Sequence, residues 1–342
     1  MYFSTLGFTL LAAIASVASV SAAPATTSSA AATSTSSAPT STSSATPTPT
    51  CNATAVNVKV LNFALTLENL ESAFYKAGLA KFNSSSFTDA GFHATVRDRF
   101  VEIGQHEADH VSTLTSIIKS LNGTAVAPCN YTFPMNNVTQ FMAVAQALEN
   151  TGVSAYLGAI SSLSGNVSTA AATIATVEAR HSAYLSELMN QTAFPYAFDT
   201  PLSPQAVVTL AGQFISSCPY NIGVTPFNHL NASLPTGNST MVTTSFNGTG
   251  ANSTTSYCQF IFGNMTSVSP RSSCALPANA DGYVYVVVTN SSTPLNSTNT
   301  GIILAGPALL FNGNHTMHAN GTAPANGTAP SGSGSGSGSG SS

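Results

Sequence analysis

Charge is what this sequence has least of. Its 342 residues include only 8 lysines and arginines and 12 aspartates and glutamates, and it has no tryptophan. So few cations exclude the dense basic surface that grips nucleic acid or an anionic membrane. Long apolar runs are missing too. Residues 1–22, MYFSTLGFTLLAAIASVASVSA, are too short in apolar length to span a bilayer, and their Val-Ser-Ala ending suits signal peptidase. The run IILAGPALLF at 302–311 is shorter still, so no transmembrane segment is expected.

Residues 23–53 are almost entirely Ala, Pro, Ser and Thr, which cannot bury enough apolar area to offset the entropy of ordering, and they read as an O-glycosylated stalk. Residues 319–342 run into a Gly-Ser repeat, a flexible tail with no apolar stretch to act as a lipid-anchor signal. Seventeen Asn-x-Ser/Thr sequons between Asn52 and Asn326 fit a secreted, extracellular or cell-wall glycoprotein. Five cysteines fit an oxidising compartment and leave one thiol over. Cys258 with Cys274 is the candidate local pair, Cys129 with Cys218 a candidate long one, and Cys51 the remainder.

Eleven of the twelve acidic residues fall between Glu68 and Asp199, and helical periodicity fills the same stretch. A helix is expected over 57–81, broken at Asn83-Ser-Ser-Ser-Phe, with Thr88 or Asp89 capping a second over about 92–121 that Asn122-Gly123 ends. A third runs from about 137 to 163, a fourth from about 168 to 190, and Ser203-Pro204 opens a shorter fifth. Beyond Pro219 glutamate and lysine vanish. YCQFIF (257–262), YVYVVV (283–288) and 302–311 then predict a few strands separated by polar loops. The expected class is mainly α: a bundle over 54–219 with a fifth short helix, followed by a small β-rich unit over 220–318.

The chemistry lies in a repetition. The first and third helices both contain Leu-Glu-Asn followed by a tyrosine seven residues after the glutamate, as Glu68/Tyr75 and Glu149/Tyr156. The second and fourth both contain Glu-Ala-x-His, as Glu107/His110 and Glu178/His181. The bundle thus reads as a duplicated hairpin, each copy giving one Glu and one Glu-x-x-His. Two terminal Glu, two bridging Glu and two His form the ligand set of a two-metal carboxylate site. Glu68 lies about 13 residues, or ~20 Å, before the end of its helix, and Glu107 about 15 residues, or ~22 Å, into the next. An antiparallel hairpin therefore sets them level. The link APCNYTFP must run nearly extended to return the full bundle length. Carboxylates with imidazole suit two ions of iron or manganese ahead of zinc, with O2 or peroxide as small partners. Tyr75 and Tyr156 face the same way and are expected to hydrogen-bond the ligand carboxylates.

On LNFALTLENLESAFY, EIGQHEADHV, ALENTGVSAYLGAI and TIATVEARHSAYL, the stretch from about Val60 to Cys218 resembles the ferritin-like domain of secreted fungal proteins, many labelled stress-responsive. The resemblance implies a ferritin-like fold with Glu68, Glu107, His110, Glu149, Glu178 and His181 as metal ligands, and no particular reaction. Two functions fit: a di-metal protein with redox chemistry or stress-related metal handling, or a cell-wall or matrix glycoprotein whose bundle is a scaffold.

Plainer readings apply to the other polar residues. Glu71, Glu102 and Glu187 are expected as solvated helix charges, with Glu71, one turn from Glu68, its main rival as ligand. His106-Glu107-x-x-His110 also matches a zinc-protease pattern. That reading leaves Glu178/His181 unexplained and finds no Gly-x-x-His extension downstream. His106 is expected at the rim or beside an acidic neighbour, and His229, His315 and His318 as isolated loop histidines.

Overall fold

The computed structural model describes residues 53–313 apart from 235–239, 252, 254, 297 and 298. The expected leader and tail and the expected stalk up to residue 52, together with Cys51, His315 and His318, lie outside the described residues, whereas Ala53, expected in the stalk, opens the first helix.

Helix α1 (Ala53–Lys81) runs antiparallel to α3 (Val96–Ser120), and α4 (Val138–Ala159) pairs in the same way with α5 (Asn166–Leu188). The sequence places a simple break at Asn83. The structure instead puts a short helix α2 (Ser84–Asp89) there, because Asn83 Oδ1 accepts from Ser86 N at 3.0 Å and caps it. The next helix therefore starts not at about residue 92, behind a Thr88 or Asp89 cap, but at Val96, after Gly91 turns the chain at φ +90°. Asn122 ends α3 in the left-handed region at φ 57°. Asn137 caps α4 through Gln140 N at 2.8 Å, and Ser203 caps α6 (Pro204–Ala211) through Ala206 N at 3.2 Å.

The link from α3 to α4 is extended. Within it β1 (Asn130–Tyr131) pairs antiparallel with β2 (Ile215–Ser217), and the Cys129–Cys218 disulfide pins the same crossing. Two apolar clusters fill the bundle on either side of the acidic level. One holds Phe74, Phe87, Phe100 and Phe141, all fully buried; the other holds Leu61, Leu65, Leu114 and Ile118. Each such side chain contributes about 1.5–3 kcal/mol by leaving water.

The C-terminal half begins with the hairpin of β3 (Leu230–Ser233) and β4 (Thr243–Phe246). A four-stranded antiparallel sheet follows in the order β6-β5-β7-β8, from β5 (Tyr257–Phe262), β6 (Met265–Pro270), β7 (Gly282–Thr289) and β8 (Ile303–Asn312). The Cys258–Cys274 disulfide ties β5 to the turn after β6. All eight residues of β7 are buried. Alternation splits them: Tyr283 and Tyr285 join the helical core, whereas Val284, Val286 and Val288 join the sheet's own. Tyr285 Oη sits 2.8 Å from Ser154 Oγ and donates to Asn150 O at 3.2 Å, so the sheet rests on α4. Gly158 of α4 leaves room for this side of the molecule, since a Cβ there would lie 1.8 Å from Leu202 O. No helix among the described residues is long and apolar enough to cross a membrane.

Candidate metal centre

Each of the four long helices sends one glutamate inward at the same level. Glu68, Glu107, Glu149 and Glu178 are all fully buried, and His110 and His181 are nearly so. Glu68, Glu107, His110 and Glu178 form one group whose ligand atoms all lie within 4.8 Å of one another; Glu107, Glu149, Glu178 and His181 form a second on the same criterion. Glu107 and Glu178 belong to both, the positions that bridging carboxylates occupy in a two-metal site.

The imidazoles aim Nδ1 inward. His110 Nδ1 is 3.2 Å from Glu68 Oε2, 3.2 Å from Glu107 Oε2 and 3.1 Å from Glu178 Oε1. His181 Nδ1 is 3.0 Å from Glu149 Oε2 and 3.3 Å from Glu107 Oε1. One N–H cannot satisfy three carboxylates. Glu68 Oε2, Glu107 Oε1 and both Glu178 oxygens accordingly have no hydrogen-bond partner among the described residues, although some sit at ion-pair distance. Orphaned buried carboxylate oxygens are costly, and cations among them are the direct remedy. Two divalent ions would match the charge of four carboxylates, so the residues present fit the group.

The protein without cations holds this cluster by sharing protons. Burial raises Glu68 to about 7, against the pull of His110. Burial and the Glu107 and Glu149 charges raise Glu178 well above the usual carboxylate range. Burial also acts to raise Glu107, but hydrogen bonds from His110 and His181 outweigh it and hold the group near 2. Burial works against a charged His181, yet Glu107 and Glu149 lift it to about 9. The carboxylates around His110 raise it further.

The tyrosines cross between hairpins. Tyr75 Oη of α1 donates to Glu149 Oε1 of α4, and Tyr156 Oη of α4 donates to Glu68 Oε1 of α1. Each fixes a terminal carboxylate by one oxygen and leaves the other toward the cluster.

One residue differs from its sequence reading, and another takes one of the two places the sequence allowed. Glu71 is not a solvated charge: it is only 4% exposed, and burial together with the Glu178 charge raises its carboxyl well above the ordinary range. Its space comes from Gly152, where a Cβ would lie 3.1 Å from Glu71 Oε1 and 3.0 Å from Glu178 Oε2. The spacing held the signal, since residues three apart on a helix share a face, which placed Glu71 beside Glu68. His106 sits exposed at the rim, one of the two places expected, and among the described residues it has no acidic partner. Its Nδ1 meets His181 Nε2 at 3.0 Å, outside both ligand groups. The pairing of His106 with His110 on one ion, which a zinc protease needs, is not the one the fold makes. Glu102 is exposed and bonded to Arg99 at 2.6 Å.

Residues 56–191 match the family model described as the ferritin-like domain. Over those residues the chain has a ferritin-like fold. Protein rds1 of Schizosaccharomyces pombe is 28% identical over 160 residues, covering 46% of this chain and 39% of that relative. The chain thus spans well under half the length of the curated relative it matches. The ferritin-like fold places the buried Glu/His cluster midway along the bundle, between the two apolar clusters.

Proposed function

We propose that this chain is a secreted or cell-wall di-metal protein, binding iron or manganese and acting on O2 or peroxide in stress-related redox chemistry. The observation that carries the reading is the pair of overlapping Glu/His groups with unmet oxygens inside a ferritin-like domain. Glu68 and His110 would hold one ion, Glu149 and His181 the other, with Glu107 and Glu178 spanning both. Two such ions supply Lewis acidity and one-electron steps to a bound oxygen species. The chain's own contribution is positional. Tyr75 and Tyr156 hold the terminal carboxylates in register, and Glu68, near 7 before loading, can keep or release a proton at Oε2 around neutrality. Full burial of all four glutamates restricts access to small molecules, which favours O2 or peroxide over a peptide. The apolar leader, the sequons and the two disulfides support an extracellular setting.

A second reading is a structural glycoprotein whose ions only brace the bundle. It is favoured by the way β7 and Tyr285 knit the sheet to α4. Elemental analysis of the secreted full chain tests the metal, and substoichiometric content defeats the first reading. An absorption band that appears with O2 or peroxide marks redox chemistry. A chelator that lowers Tm with no such band marks the scaffold.

A further inference from the structure

The His106-Glu107-x-x-His110 pattern leaves one histidine that the metal cluster does not use. His106 Nδ1 lies 3.0 Å from His181 Nε2. The two ring planes are 10° apart, with centroids 5.3 Å apart. That separation is close to two ring radii plus the N···N distance, so the imidazoles lie nearly edge to edge in one plane. This is the geometry of an N–H···N hydrogen bond rather than of a face-to-face stack. Such a bond needs one hydrogen and one lone pair. His181 Nδ1 points at Glu149 and Glu107, where an ion would need its lone pair. Nε2 then carries the hydrogen, and His106 Nδ1 accepts it.

The other half of the bundle has no equivalent. The residue before Glu107 is His106, and the residue before Glu178 is Val177, which offers neither donor nor acceptor. Among the described residues His110 makes its polar contacts through Nδ1 alone.

We propose that His106 is a positioning residue that makes the two metal positions unequal. By accepting from His181 Nε2 it fixes that ring with Nδ1 inward, so the position of Glu149 and His181 holds its ion more tightly than the position of Glu68 and His110. The proposal rests on the di-metal reading. An outer hydrogen-bond partner of a metal-bound histidine typically contributes about 10- to 100-fold in affinity. His106 is itself exposed, so replacing it opens no cavity in the core.

Manganese(II) titrated into the metal-free full chain, followed by calorimetry, should give two unequal steps. His106→Ala should weaken the tighter step by about 10- to 100-fold and leave the other within about twofold. His106→Asn, which keeps an acceptor near Nδ1, should recover much of the loss. Unchanged steps, or equal loss from both, overturn the proposal. A second readout needs no metal. In the 15N-labelled metal-free chain, coupling across the hydrogen bond should link His181 Nε2 to His106 Nδ1 and vanish in His106→Ala; its absence from the wild type also overturns the proposal. A chain with the coupling that takes up neither manganese(II) nor iron(II) brings down the di-metal reading and this proposal together. One that takes up two ions in equal steps brings down this proposal alone.

Discussion

The hairpin of α1 and α3 and the hairpin of α4 and α5 each deliver a Glu, a Glu-x-x-His and a tyrosine, yet they differ at two positions bordering the cluster. Three residues after the terminal glutamate stands Glu71 in the first and Gly152 in the second. One residue before the bridging glutamate stands His106 in the first and Val177 in the second. The shared residues are those that two ions require in pairs. The unshared ones show where the space and the surroundings are not symmetric. There is room for one extra carboxylate, and Gly152 supplies it by having no Cβ.

The harshest test removes the shared part. Glu107→Ala with Glu178→Ala takes one bridging carboxylate from each hairpin, and bound metal should fall to background in elemental analysis. The metal-free double variant should also lose stability, because His110 and His181 lose buried carboxylate partners. Glu107→Gln with Glu178→Gln, which keeps shape and an acceptor, is therefore the folded control and should lose the metal as well.

A subtler test asks whether the hairpins match in their outer contacts. Tyr75→Phe and Tyr156→Phe should each cost about 1.5–3 kcal/mol in denaturant unfolding, since each deletes a hydrogen bond to a buried carboxylate. Equal losses would extend the two-fold equivalence outward to the tyrosines, and unequal ones would carry the asymmetry inward.

Acidity should act on loading more than on fold. His181, lifted to about 9, carries a proton at neutral pH, and an ion must displace it. Apparent affinity should therefore rise with pH, each displaced proton adding about tenfold per unit, or about 1.4 kcal/mol, with His181 contributing up to about 9 and His110, raised further, beyond it. In the metal-free chain the sign reverses. A raised histidine stabilises fully below its unfolded value of about 6.5, and this stability is lost as pH climbs through about 9. Thermal melts with and without metal across that range should diverge as pH rises.

The smallest effect is expected at Glu71. Burial and the Glu178 charge raise its carboxyl well above the ordinary carboxylate range and so favour its uncharged form. Glu71→Gln keeps shape and neutrality and should move stability by less than about 1 kcal/mol. A large loss would make it a ligand and the halves still less alike.

Legibility in the sequence followed the strength of the local signal. Four long helices were readable because their periodicity is sustained, and their pairing followed from the level spacing of the glutamates. α2 was not, because an asparagine in a serine run reads as a break until its side chain is seen capping Ser86. Three strands of the sheet were readable from β-branched and aromatic runs. β6, MTSVSP, was not, since a half-buried edge strand needs neither apolar alternation nor bulk. The hairpin of β3 and β4 escaped for the same reason.

By itself the sequence determined the bundle, the duplication and the Glu/His residues of the cluster, because periodicity and repeat spacing are properties of the chain that need no partner. Tertiary structure alone decided the fate of Glu71 and His106. Whether a helical glutamate is solvated depends on what the facing helix offers, and Gly152 lies 81 positions away from Glu71 in the sequence. His106 likewise finds His181 75 positions on. Local pattern names the groups that can bind; packing decides which groups surround them, because burial and hydrogen bonding are set by neighbours the chain brings in from afar.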